Sequence, residues 1–279
     1  MDKNTFSVLM SIYSKENPAF FDLSLNSILC DQTIIPNEFV LVCDGPLNEE
    51  LEKVMEKYLI LYPDILKIYR LEENGGLGEA LQYGLTKCSN ELVARADSDD
   101  ICVNNRFEIQ LKYFEEHPET DILGGNISEF QNSINERKKH IKKMPTTCKK
   151  IYKFAKYRSP LNHPTVMFKK SAVLAVGSYI KLPLMEDYYL WMRLICNNRV
   201  LNNINQILVH TRVGNGRIER RSAVSLENYK FVLNYMYEQK FINKFEKKLN
   251  ILIRTSFSRS PKWAKKVFYY ITRKTRKLK

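Results

Sequence analysis

Between residues 6 and 96 the chain alternates short apolar runs with segments of helical period, and this alternation limits it to one class of fold. Phe6–Ile12, Glu38–Cys43, Leu66–Leu71 and Leu92–Ala96 read as strands. Phe20–Leu29, Asn48–Leu61 and Leu77–Cys88 carry apolar residues at helical spacing. A continuous apolar run such as Phe39-Val40-Leu41-Val42 suits a strand covered on both faces. Asn48 is placed to cap the second helix, with Glu49, Glu50 and Glu52 in its first turn, and Gly75-Gly76 opens the third. Strands alternating with helices predict an α/β fold, a mostly parallel sheet with helices on both faces.

In such sheets ligands bind at the carboxyl ends of the strands. Three of those ends are chemically distinctive: Ser11-Ile12-Tyr13, Asp44-Gly45 and Asp97-Ser98-Asp99-Asp100. Three carboxylates in four positions repel one another, and a cation between them relieves the repulsion. Oxygen-only ligands suit Mg²⁺ or Mn²⁺, which keep waters and share substrate phosphates. Each segment also has a plain reading. Asp97–Asp100 serves equally as a solvated turn or helix cap, Asp44-Gly45-Pro46 as a simple turn, and Glu186-Asp187 as an acidic helix start.

After Asn105 the pattern changes. A helix is expected to His117, a strand over Asp121–Gly125, a solvated Lys-rich stretch over Lys138–Lys156 and a short strand at Thr165–Phe168. Helices follow over Met185–Cys196, Ser222–Tyr237 and Phe241–Phe257, and Tyr188, Tyr189 and Trp191 are expected in the core. Residues 1–227 hold 29 basic and 29 acidic residues, so they balance. Residues 228–279 hold 15 basic and 2 acidic residues, which is the whole net charge of +13. The expected division is therefore a body over 1–215 and a C-terminal helical, basic extension over 216–279. No stretch has the length of a membrane-spanning helix, and Met1–Thr5 lacks the apolar core of a signal peptide. The six cysteines include no Cys-x-x-Cys pair and are expected to be reduced core residues of a cytoplasmic protein.

Together these segments resemble family 2 glycosyltransferases, whose GT-A fold is a Rossmann-like nucleotide-binding sheet. The resemblance covers about residues 5–215. It rests on Ser7–Tyr13, Ser24–Ile28 with Gln32-Thr33, Asp44-Gly45, Asn74–Leu81, Asp97–Asp100 and Glu186-Asp187, in that order. Asn162–Phe168 and Arg220-Arg221 resemble bacterial transferases that build O-antigen, capsule or exopolysaccharide repeat units. The resemblance implies that Ser11, Tyr13, Asp44, Asn74, Arg95 and Asp97 bind a UDP-sugar, with Asp44 accepting from the uracil N–H and Arg95 near the diphosphate. It implies a Mn²⁺ or Mg²⁺ ion on Asp99, with Asp97 and Asp100 beside it. Asp187 is the implied general base, with Glu186 as the competing neighbour. His163 is a candidate for the acceptor site. Family members often carry two acidic residues after the second strand, whereas here Cys43 precedes Asp44.

The implied reaction is inverting transfer of a hexose, from UDP-Gal or UDP-Glc, to a sugar on a lipid diphosphate of undecaprenyl type, giving a β-glycoside for surface polysaccharide. The implied place is the inner face of the cytoplasmic membrane. Pro261–Lys279, where Trp263, Val267, Phe268, Tyr270 and Ile271 interleave with cations, reads as an amphipathic helix for an anionic surface. A sugar-phosphate nucleotidyltransferase would be expected to carry a Gly-rich loop after the first strand, and Ser11–Lys15 has none. A nucleic-acid-binding protein would suit the basic tail but not a neutral body with a metal-type acid cluster, so no nucleic-acid partner is expected.

Overall fold

The computed structural model describes residues 5–131, 133–136, 140–213 and 225–261. Arg220-Arg221 and nearly all of the basic amphipathic tail fall outside them.

Among the described residues, nine strands form one sheet in the order β3-β2-β1-β4-β8-β6-β9-β5, with β7 paired to β6. They are β1 (Phe6–Ile12), β2 (Glu38–Cys43), β3 (Leu66–Arg70), β4 (Leu92–Arg95), β5 (Ile101–Cys102), β6 (Ile122–Phe130), β7 (His140–Lys142), β8 (Met167–Lys169) and β9 (Leu201–Arg212). β3, β2, β1 and β4 are parallel, as the alternation predicts. Beyond β4 the sheet is mixed. β8 runs antiparallel to both β4 and β6, and β9 is parallel to β6. It follows that β1, β2, β4, β6 and β9 all point their carboxyl ends toward the same edge.

Among the described residues the α-helices are α1 (Pro18–Leu29), α2 (Glu49–Leu61), α3 (Leu77–Lys87), α4 (Arg106–Glu116), α5 (Cys148–Ala155), α6 (Lys170–Ala175), α7 (Glu186–Cys196), α8 (Leu226–Glu238) and α9 (Lys244–Arg259). The Asn17 side chain caps α1, with Pro18 in its first turn, and Asn48 caps α2 as expected. Two cores sandwich the sheet. One joins Leu9, Val42 and Leu85 to Leu190, Trp191, Val232 and Met236, so α3, α7 and α8 share a face. The other joins Val8, Met10, Phe21, Leu25, Phe107 and Phe114 on the opposite face. The expected burial of Tyr188, Tyr189 and Trp191 holds.

Three expectations are corrected. The Lys-rich stretch contains β7 and α5, and α5 buries Ile151 and Ala155 while its lysines face outward. The strand expected at Asp121–Gly125 continues to Phe130, and all nine of its residues are buried. Of the six free cysteines only Cys43, Cys88 and Cys102 are buried, whereas Cys30 and Cys148 lie at the surface because neither faces a core.

Candidate active site

The acidic loop follows β4 and is strapped from two sides. From α1, Ser24 Oγ donates to the Asp97 carbonyl at 2.8 Å, and Ser27 Oγ accepts from the Cys102 amide at 3.1 Å. Gln32 Nε2 donates to the Val103 carbonyl at 2.7 Å. The small polar residues of the first helix therefore hold the loop. From β9, the Arg212 amide donates to Asp100 Oδ1 at 2.9 Å. Beneath the loop Arg106 is fully buried. Its guanidinium donates to the Arg95 carbonyl at 2.7 Å and to Gln110 Oε1 at 3.1 Å. No motif in the sequence marks Arg106, because it lies in the first turn of an ordinary amphipathic helix.

The carboxylate oxygens of Asp97, Asp99 and Asp100 lie within 4.8 Å of one another. This all-oxygen set fits a hard divalent cation, so the donors present match the expected Mn²⁺ or Mg²⁺. Arg95, at the end of β4, is buried and ion-paired with Asp97. Its Nε and Nη1 have no hydrogen-bond partner among the described residues, leaving two buried donors for a ligand.

The structure gives Asp44 a structural duty. Its carboxylate accepts from the Gly75 amide at 2.8 Å and the Gly76 amide at 3.0 Å, and Asn74 Nδ2 donates to its carbonyl at 3.0 Å. Gly76, at φ +92°, precedes α3 and has no side chain to cap it, so Asp44 serves as a cap reaching across from β2. A carboxylate has about four acceptor positions, so this role is compatible with a base contact. Asp44→Ala is expected to lower stability by about 1–2 kcal/mol, since two helix-opening amides lose their acceptor. Urea unfolding checks this, and an unchanged midpoint contradicts it. Ser11 and Tyr13, at the end of β1, are half-buried at the same edge.

Glu186 and Asp187 open α7 and differ in environment. Glu186 is buried where α3 begins, and a Cβ added at Gly78 would crowd its side chain and the Ile180 carbonyl. Burial pushes its carboxyl up to about 7, and backbone amides of its own turn counter part of that rise. Asp187 is half-buried. Ser159 Oγ donates to its Oδ2 at 3.1 Å. Burial raises its carboxyl above the ordinary aspartate value, against the pull of the Tyr188 amide, Ser159, Lys142 and Arg95. Arg95 thus acts on both the acid cluster and Asp187. His163 also belongs to this neighbourhood. Its Nε2 lies 3.0 Å from the Tyr179 hydroxyl, and burial, helped by the Arg95 charge, drives its pKa well below the ordinary histidine value. Ser159 and Tyr179 carry no local signal that singles them out in sequence.

Other proteins share this fold. The solved structure of S. aureus TarS 1–349 in complex with UDP-GlcNAc matches with a TM-score of 0.66 at 22% identity, over 92% of this chain and 73% of that one. The chain spans 43% of a longer TarS structure. The fold is that of the GT-A glycosyltransferases. A model described as glycosyl transferase family 2 matches residues 7–182. The amylovoran biosynthesis glycosyltransferase AmsE of Erwinia amylovora is 41% identical over 216 residues, 77% of this chain and 79% of its own length. An Escherichia coli protein named UDP-Gal:alpha-D-GlcNAc-diphosphoundecaprenol beta-1,3-galactosyltransferase is 38% identical over 264 residues, 92% of this chain and 94% of its own. The chain belongs to glycosyl transferase family 2.

Proposed function

We propose that this glycosyltransferase moves a hexose, galactose or glucose, from its UDP-sugar to a sugar on a lipid diphosphate, with inversion to a β-glycoside, in the making of a surface polysaccharide. One observation carries the proposal. An all-oxygen acid cluster stands at the sheet's carboxyl edge, with a separate half-buried carboxylate on α7. Asp97, Asp99 and Asp100 would hold the divalent ion, which when bound offsets charge building on the departing diphosphate. Ser11, Tyr13, Asp44 and Asn74 hold the nucleoside, and Arg95 offers its free N–H groups to phosphate. Asp187 takes the proton of the acceptor hydroxyl as the new bond forms, a contribution of about 10²–10⁴ in rate. The Ser159 hydrogen bond fixes that carboxylate in place. The Escherichia coli relative, by its name a UDP-Gal-using galactosyltransferase, supports this donor, and the Erwinia amylovora relative, by its name an amylovoran biosynthesis enzyme, supports this pathway.

No described helix is long and apolar enough to cross a membrane. The lipid-linked acceptor of this reading places the protein peripherally at the membrane, on its cytoplasmic face. Phe245, Leu252 and Ile253 are exposed on α9 beside Lys244 and Lys248, which favours contact with an anionic surface.

The test is turnover by the full chain with Mn²⁺, a panel of nucleotide sugars and a synthetic lipid-diphosphate sugar. Transfer only from UDP-hexoses is the expected result. UDP is also expected to raise the melting temperature where GDP does not, and protection by GDP alone contradicts the donor assignment.

A further inference from the structure

Arg212 ends β9 and lies outside every motif that the sequence marks. Its guanidinium carbon packs over two rings, 3.7 Å from the Phe20 centroid and 4.6 Å from that of Phe130. Phe20 lies in the first turn of α1, just after the carboxyl end of β1, and Phe130 is the last residue of β6. The clamp is therefore built at the ligand-binding edge of the sheet. A guanidinium packed against aromatic rings makes its polar contacts through its N–H edge. Its Nε is buried and has no hydrogen-bond partner among the described residues. Asp99 and Asp100 act on it as charges, not as hydrogen-bond partners. Its own backbone amide holds Asp100 at 2.9 Å, so side chain and loop are fixed to the same strand end.

A chain that needed Arg212 only to neutralise Asp99 or Asp100 would pair it with one of them. Instead the cation is partly desolvated, held rigid, and offers a free fork beside the acid cluster. That fork matches two oxygens of a phosphate group, a geometry lysine cannot reproduce.

We propose that Arg212 binds a diphosphate at the carboxyl edge of the sheet through its free N–H edge, an assignment that rests on the donor and acceptor proposed above. Two diphosphates meet in that reaction, that of the UDP-sugar and that of the lipid-linked acceptor, and the guanidinium chemistry is the same for both.

The test compares the full-length protein with Arg212→Gln and Arg212→Lys. Melting shifts are read with uridine, UMP and UDP, each with and without Mn²⁺. KM is then measured for a lipid-diphosphate sugar and for a neutral aryl glycoside of the same sugar. If the donor diphosphate is the ligand, Arg212→Gln weakens UDP binding on the order of 10–100-fold while uridine binding is unchanged. If the acceptor diphosphate is the ligand, UDP binding is unchanged and KM rises by a similar factor for the lipid diphosphate alone. In either case Arg212→Lys recovers only part of the loss. A variant that merely melts earlier, with unchanged UDP binding and both KM values unchanged, overturns the proposal. Failure of the wild-type protein to bind UDP or use any UDP-sugar overturns the functional reading instead, which separates the two.

Discussion

Asp99→Ala is expected to abolish nearly all turnover, a fall of at least roughly 10²–10³-fold, and EDTA is expected to do the same to the unaltered protein. The reason lies in the division of labour among the three aspartates. Asp97 is already paired with Arg95, and Asp100 already accepts from the Arg212 amide. Asp99 completes the all-oxygen set. Its removal would take one oxygen ligand from the ion, and a melting curve run beside the assay separates lost chemistry from lost folding. The check is turnover against added Mn²⁺, with recovery of the EDTA-treated protein on adding back the metal. Undiminished activity in excess EDTA would sink the metal role.

Asp187→Asn is expected to lower kcat by about 10²–10⁴-fold while leaving UDP binding intact. Asparagine keeps the shape and can still accept from Ser159, but it cannot take a proton. Glu186→Gln is expected to be mild by comparison. Its carboxyl is buried against the start of α3 and pushed up to about 7, so the protein already holds much of it neutral near pH 7. The pH profile adds a second readout. A base must be ionised, so the rate falls as pH drops through the pKa of Asp187. Because burial raises that pKa, the acid limb is expected above the ordinary aspartate range. An active Asp187→Asn beside a dead Glu186→Gln would transfer the role to Glu186.

The parallel half of the fold was legible because its strands are continuous apolar runs separated by well-capped helices. The other half was less so. β9 reads Leu201-Asn202-Asn203-Ile204-Asn205-Gln206, and its asparagines are poor strand formers in isolation. Only pairing with β6, supported by Asn203 Nδ2 donating to the Pro145 and Pro160 carbonyls, makes the segment a strand. β5 is two residues long and exists through its partner β9. At the site, the acid cluster and Glu186-Asp187 stood out because carboxylates at strand and helix ends are chemically conspicuous. Ser159, Tyr179 and Arg212 did not, because their roles arise from distant segments folded against them. The capping role of Asp44 was likewise hidden, since its partners lie some thirty residues away.

The reversal of chain direction at β8 has a further consequence. β1, β2 and β4 arrive at the reactive edge and leave it, whereas β8 departs from it, so the residues just before β8 enter the edge from the other side. Asn162, His163 and Thr165 thus occupy positions that no parallel strand could supply. In a chain so arranged, a segment remote in sequence stands beside the loop after β4 and is tied to it: Gln110 Nε2 donates to the Thr165 carbonyl at 2.9 Å, and the Arg95 amide donates to the Val166 carbonyl at 2.9 Å.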